Sequence, residues 1–433
     1  MTIQSNKIKI YINLWGNIPK NGENMKYNLI IKNGYIYNTN TNKIILKDIA
    51  IKDGIIKKID KIITDKADKV IDAKNHVIMP GFINSHIHFG EYYLKGYDIN
   101  YGTKKYIEYA ENFNELNKKY KEEIRTSSSI ITAYEAIKYG QTTLMGIRGW
   151  DCLEKYKIRL YMGYPFMLSN KLGDYSINAF EKYEKLKITN LNNYYIFIHS
   201  LLTVDEKILK EISNYIKKNK VFLAIHLSET KEEEKLIKKK YGMSSIEVLK
   251  TNKLLSSRTM LVHCCYISEE DIRIIKKYNC SISINPNSNL KLNNKIPNIK
   301  KLDGINICIG TDGVATNDSL NIIDSLKTIG LLYRIKDSEL IKMITLNPEK
   351  YLKNKTGKIE VNYKADLNIY DLNDYRIVCK DTFINNLIYS SDIEPQYVIT
   401  EGRIIIDNYQ NTMITDEELE RSNISNYLNF NRK

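Results

Sequence analysis

Residues 76–91 read HVIMPGFINSHIHFGE. The apolar run His76–Ile83 leads into two histidines, His86 and His88, one residue apart. The 433-residue chain has only six histidines, so two at this spacing need a reason. On an extended strand, residues two apart face the same side. His86 and His88 therefore present two imidazoles together at a strand's end.

Seven more apolar runs follow: TTLMGI (142–147), IRLYMGY (158–164), YYIFIH (194–199), VFLAIH (221–226), TMLVH (259–263), CSISIN (280–285) and INICIGT (305–311). Amphipathic helical stretches separate them. Near-continuous apolar strands alternating with helices predict a parallel sheet covered on both faces. Eight such units predict an α/β fold, a closed (β/α)8 TIM-type barrel. Thr203–Glu206 and Ser268–Asp271 fit capping boxes at helix starts.

The ends of the chain have another texture. Residues 27–72 alternate short strands with Lys32-Asn33-Gly34 and Lys52-Asp53-Gly54, which read as hairpin turns. Strand-like stretches return at 365–372 and 395–408. These predict a small β-sandwich domain built from both termini. The expected limits are an extension at 1–24, the small domain at 25–75 and 359–433, and the barrel at 76–358. Met25 opens MKYNLIIKNG, which reads as the start of the fold. The segment 89–128, too long for a simple loop, is expected to cover the barrel mouth as a lid.

Bulk properties narrow the function. Net charge is +14, from 65 basic and 51 acidic residues. The lysines are dispersed and interleaved with glutamate, as in KEEEKLIKKK, which argues against nucleic-acid binding. No apolar run is long enough for a membrane span. No signal-peptide core precedes Met25. The six cysteines form no C-x-x-C, which excludes a disulfide framework or zinc finger and fits a cytoplasmic protein.

The polar residues collect at one rim. His86, His88, His199, His226, His263 and Asp312 all end predicted barrel strands. That rim carries the active site in this fold. His76 begins its run, at the opposite rim, and reads as structural. Several imidazoles and one carboxylate suit a divalent metal, most simply Zn2+. Glu229 follows His226 by three residues and suits a proton shuttle. The bland alternative is a capping acid for the helix in KEEEKLIKKK. Arg148 ends the second run and faces the same rim.

PGFINSHIHF, IHLSET, LVHCCYIS, NSNLKL and IGTDGVATND resemble the amidohydrolase superfamily. The branch they resemble contains the 5-methylthioadenosine/S-adenosylhomocysteine deaminases and related chlorohydrolases. The likeness runs from about residue 27 to 408. It implies that His86, His88, His226 and Asp312 hold one Zn2+, with Fe2+ the alternative. Glu229 would shuttle protons, His263 would orient the attacking water and Asp312 would accept its proton. His199 would contact substrate, although Ser200-Leu201-Leu202-Thr203 departs from the branch's Ala-Pro-Tyr-Thr-like pattern. Glu91 stands where some members carry a glutamine that reads the heterocycle edge, so Glu91 and Arg148 join His199 as expected substrate contacts. A histidine at 199, where dinuclear members offer a lysine, implies one metal. The H-x-E and P-C-x-x-C signature of the cytidine-deaminase fold is missing.

The resemblance implies hydrolytic deamination of an aminated purine nucleoside: 5-methylthioadenosine, S-adenosylhomocysteine, 5-deoxyadenosine or adenosine. The partner is then a small heterocyclic amine, and the assembly a homo-oligomer. Aminofutalosine, guanine or a pterin are the alternative substrates. A C–Cl, C–S or cyclic-amide hydrolase using the same metal is the alternative chemistry. The lid lacks the branch's Trp-centred motif, and Glu115 would stand in for its ribose-binding acid.

Overall fold

The computed structural model describes residues 26–96, 98, 102–166, 179–390 and 392–422. The expected N-terminal extension, residues 1–24, and Met25 lie outside them. Five strands come first: β1 (Tyr27–Asn38), β2 (Lys43–Lys52), β3 (Ile55–Asp60), β4 (Ala67–Asp72) and β5 (His76–Pro80). The middle of the chain supplies β6 (Phe82–His88), β7 (Gln141–Ile147), β8 (Arg159–Phe166), β9 (Asn192–Ile198), β10 (Leu223–Leu227), β11 (Thr259–His263), β12 (Ser281–Ile284), β13 (Asn306–Ile309) and β14 (Asp312–Gly313). The last are β15 (Leu367–Asp371), β16 (Tyr397–Thr400), β17 (Arg403–Asp407) and β18 (Gln410–Asn411). Among the described residues they form two nine-stranded sheets.

The central sheet runs β13-β12-β11-β10-β9-β8-β7-β6-β14, with all neighbours parallel. β13 and β14 are two parts of one strand. The first part pairs with β12, and the second lays Asp312 opposite Ile87 and Gly313 opposite His88. The eighth strand thereby closes the sheet onto the first, which makes a TIM-type barrel. Gly310 sits at the break because a Cβ there would lie 2.7 Å from the backbone oxygen of His86.

Side chains along the strands alternate in and out. Ile83, Met145, Tyr161, Tyr195, Phe197, Ala224, Met260, Val262 and Cys308 share one cluster, which fills the barrel. Their neighbours Phe82, Leu144, Leu160, Ile196, Ile225, Leu261, Ile282 and Ile307 join a second cluster with helix residues such as Ala133, Leu209 and Ile237. Two buried faces per strand explain the unbroken apolar runs. The helix Glu269–Lys277 starts with the expected capping box, Ser268 and Asp271. Thr203 caps nothing. The helix Glu206–Asn219 is capped by Asp205, whose side chain accepts from the Ile208 N–H, while Thr203 closes a turn back to Ser200.

The apolar run at 76–83 divides at Gly81. His76–Pro80 pairs with β15 and β1 in the other sheet, and the first barrel strand starts at Phe82. His76 is accordingly a sheet residue, with its ring nitrogens on Lys74 O and Gln396 Oε1. Asn33-Gly34 makes no hairpin. β1 continues through a bulge there, with the Asn33 N–H donating to Asp48 Oδ1. Asp53-Gly54, both at positive φ, form the true tight turn.

The second sheet runs β18-β17-β16-β15-β5-β1-β2-β3, with β4 also on β1, and so draws strands from both ends of the chain. All six cysteines are free thiols. Among the described residues no helix is long and apolar enough to cross a membrane.

One buried ion cluster joins the barrel to this sheet. Arg159, fully buried at the start of β8, donates to both carboxylate oxygens of Asp366, at 3.0 and 3.1 Å. It also donates to Glu401 Oε1 at 3.0 Å. Deleting one partner of a buried pair strands the other charge. Arg159→Met is therefore expected to cost about 3–5 kcal/mol of stability, measured by urea unfolding, with the metal pocket unchanged.

Candidate active site at the barrel mouth

Six polar side chains meet at the carboxyl-terminal end of the barrel. His86 comes from β6, as does His88. In β6 Ile83 faces inward, and so does Ser85, whose hydroxyl meets that of Ser283 across the barrel at 2.7 Å. Simple alternation would then turn His86 and His88 outward. A bulge between Asn84 and Ile87 inserts one residue and swings both imidazoles to the barrel axis. His226 and Asp312 follow ordinary alternation from Ala224 and Cys308.

His263 does not. Val262 faces inward, so His263 should face the helices. It has φ of 74°, in the left-handed region, which turns its ring back to the axis. Arg148 after Ile147 does the same with φ of 60°, and Asp312 has φ of 63°. Strained backbone of this kind collects at functional sites.

The resulting contacts are close. His86 Nε2 lies 3.1 Å from His88 Nε2 and 3.0 Å from His226 Nε2. Asp312 Oδ1 lies 3.1 Å from His88 Nε2 and 3.5 Å from His86 Nε2. Ligand atoms of His86, His226, His263 and Asp312 all fall within 4.8 Å of one another. Burial pushes the His86 and His88 imidazoles down to about 4, and His226 well below its ordinary value. They are neutral at neutral pH, with lone pairs to donate.

Their outer nitrogens are tied. His226 Nδ1 meets the carbonyl of His199 at 3.1 Å, and His88 Nδ1 meets Glu91 Oε2 at 2.9 Å. With those protons outward, the Nε2 lone pairs aim at each other. Asp312 Oδ1 is buried without a hydrogen-bond donor, while Oδ2 accepts from Ser288 at 2.6 Å. Crowded lone pairs and an unsatisfied carboxylate oxygen repel each other unless a cation sits among them. The donor set fits one divalent metal ion.

Glu229 stands beside this cluster, with Oε2 3.9 Å from His263 Nε2. It does not cap the next helix. Thr230 does that, accepting from the Glu233 N–H. Glu233 instead receives the backbone N–H of Glu229 at 2.8 Å and the Ser200 hydroxyl at 2.9 Å. Burial raises the Glu229 carboxyl, and burial together with Glu229 pushes Glu233 up to about 7. His263 Nδ1 is held by Asn289 Oδ1 at 2.8 Å.

These groups open into a cavity of about 760 Å³ that His199, Glu91 and Arg148 also line. His199 Nδ1 is buried without a partner. The lid is shorter than expected. Helix Thr103–Leu116 contributes Thr103, Tyr106, Ile107 and Ala110 to the cavity wall. From Lys121 the chain is already the first outer helix, because Ile124, Ala133 and Ile137 bury against the barrel. Glu115 is exposed beside Lys118, and no side of it lines the cavity. Sequence reasoning assigned no role to Ser288, Asn289 or Glu233, the residues that brace Asp312, His263 and Glu229. The NSNLKL motif was the only trace of Ser288 and Asn289, and Glu233 showed only as one acid of KEEEKLIKKK.

Metal-free protein is expected to gain about 4 kcal/mol of stability from a divalent cation at a thousandfold excess over Kd. The check is the melting temperature before and after adding Zn2+; no upward shift would contradict a metal pocket.

Residues 77–405 match the amidohydrolase family. The chain is 31% identical over 405 residues to a 5-methylthioadenosine/S-adenosylhomocysteine deaminase of Thermococcus sibiricus, covering 87% of this chain and 94% of the relative. It is 28% identical to a 5′-deoxyadenosine deaminase of Methanocaldococcus jannaschii, covering 86% and 94%. In structure it is similar to a zinc-bound adenosine deaminase from Xanthomonas campestris, with a TM-score of 0.86, 18% identity, and 93% and 98% of the two chains covered. With sequence and architecture in agreement, the chain belongs to the amidohydrolase family.

Proposed function

We propose that this protein is a zinc-dependent hydrolytic deaminase of an aminated purine nucleoside, of the 5-methylthioadenosine, S-adenosylhomocysteine, 5-deoxyadenosine or adenosine type. The observation that carries the reading is Glu229: a partly buried acid with a raised carboxyl, in the cavity, beside the imidazole–carboxylate cluster. Relatives carrying deaminase names over most of both chains support the same reaction.

In this reading His86, His88, His226 and Asp312 hold the metal. His88 is preferred to His263 as a ligand because its Nε2 is 3.1 Å from both His86 Nε2 and Asp312 Oδ1, while His263 leans toward Glu229. A bound zinc ion supplies Lewis acidity and lowers the pKa of water toward neutrality. The chain's own groups do the rest. Asp312 takes the proton of the attacking water. His263, braced by Asn289, orients the water oxygen. Glu229 donates a proton to the ring nitrogen beside the amine-bearing carbon, which makes that carbon electrophilic. A C–O bond forms, a second proton goes to the exocyclic nitrogen, the C–N bond breaks and ammonia leaves. His199 and Arg148 line the wall that a purine would meet, and the His199 Nδ1 has no partner among the described residues.

In the same reading the barrel starts at Phe82 and runs to 358, and the small domain takes 26–80 and 359–422 of the described residues, five residues more at its first limit than the expected 75. Its sheet is read as folded on itself into a sandwich, around Leu29, Ile31, Ile49, Ile78, Leu367 and Ile399, which share one cluster.

Zinc-loaded protein is expected to release ammonia from adenine-type nucleosides in preference to aminofutalosine, guanine and pterins. Ammonia assay with ultraviolet spectra across that panel is the test, and turnover without ammonia would move the chain to the chlorohydrolase chemistry. Glu229→Gln should keep its metal and lose about 10²–10⁴-fold in kcat. Metal content and steady-state rates check it; undiminished turnover would remove Glu229 from the mechanism.

A further inference from the structure

Glu91 is a charged group in an expensive place. It is 3% exposed, and three donors converge on its carboxylate. Oε2 accepts from His88 Nδ1 at 2.9 Å and from the Tyr106 hydroxyl of the lid helix at 3.3 Å. Oε1 is held by Arg148 Nη1. Arg148 reaches it only because left-handed backbone turns its side chain into the mouth. The backbone of the facing strand also makes room. Gly313 has φ of −72° and ψ of 143°, which any residue adopts, yet a Cβ there would lie 2.7 Å from Glu91 Oε2. Space for this carboxylate, not backbone freedom, is what glycine provides at 313.

We infer that Glu91, clamped by Arg148, is a positioning residue that fixes the His88 imidazole toward the metal pocket and so sets how tightly the pocket holds its cation. The inference rests on the metal-site reading above. A carboxylate accepting the outer N–H of a ligating histidine locks the tautomer, fixes the ring and makes the inner nitrogen a better donor. Here the inner nitrogen is His88 Nε2, 3.1 Å from both His86 Nε2 and Asp312 Oδ1. Arg148 gives the buried carboxylate a charged donor on Oε1, which holds it in place against His88. Three of the roughly four acceptor sites of the carboxylate are thereby occupied within the protein. Glu91 also lines the cavity, so the role exerted through His88 stands beside the expected substrate contact. The Tyr106 contact adds a link from the same carboxylate to the lid helix.

The test is Zn2+ affinity of metal-free protein, by competition with a colorimetric chelator and without substrate. Glu91→Ala is expected to weaken Zn2+ binding about 10–100-fold. Glu91→Gln should recover most of that loss, since its amide oxygen still accepts the His88 N–H. Arg148→Met should give a smaller loss in the same direction. The Co2+-loaded Glu91→Ala protein should show a shifted visible absorption band, which loss of packing alone would not produce. Wild-type affinity in Glu91→Ala, or Glu91→Gln as weak as Glu91→Ala, would overturn the inference while leaving the metal site intact. A raised KM with unchanged Zn2+ affinity would overturn it too and return Glu91 to substrate. Failure of the wild-type protein to bind Zn2+ would overturn the metal-site reading and this inference with it.

Discussion

Three imidazole nitrogens and a carboxylate oxygen, with neighbouring atoms 3.0–3.5 Å apart at the floor of the cavity, form the constraint around which this protein is organised. Lone pairs at such distances repel, and nothing in an apolar interior screens them. The arrangement is braced from outside: His88 by Glu91, His226 by the His199 carbonyl, Asp312 by Ser288, His263 by Asn289. Those ties come from the segments just beyond three different strands, β6, β9 and β12. A closed parallel barrel is the scaffold that brings so many strand ends to one ring.

The rest of the molecule follows from holding that ring. Inside the barrel, Met145, Tyr195, Phe197 and Met260 fill the space beneath the site, and Phe197 stacks on His86 at 5.9 Å between centroids. That packing fixes the imidazole from below and keeps it neutral. Above it, a wide cavity leaves Glu229, His199 and Arg148 facing the space where a heterocycle would lie. Burial acts in opposite directions on the two kinds of group. It disfavours the protonated imidazoles, which leaves their lone pairs for a metal, and raises the Glu229 carboxyl, which suits an acid. One dry environment therefore supplies both halves of the chemistry.

Much of this was legible in the order of residues. Eight apolar runs with polar residues at their ends announce a parallel barrel, since a strand buried on both faces has little use for polar residues except at its rim. The histidines at 86, 88, 199, 226 and 263 and Asp312 were legible for the same reason. Boundaries were harder. Pro80-Gly81 passes the chain from one sheet to another within a single apolar run, and both sheets demand the same residue types. The Asn33-Gly34 pair reads as a turn but serves a bulge, because local turn chemistry is common to both. The bracing residues Ser288, Asn289 and Glu233 were invisible as such, being ordinary polar residues whose partners lie far away in the chain.

Sequence by itself determined the barrel, the small terminal sheet and the identity of the groups at the mouth, because strand periodicity and burial are local properties of the chain. Only the tertiary structure decided which way those groups point. Counting by twos sends His86, His88, Arg148 and His263 toward the helices. A one-residue bulge in β6 and left-handed backbone at 148 and 263 send them to the axis instead. Such strained conformations cost energy locally and persist only where surrounding packing and hydrogen bonds over-determine them, and no short stretch of sequence carries that information.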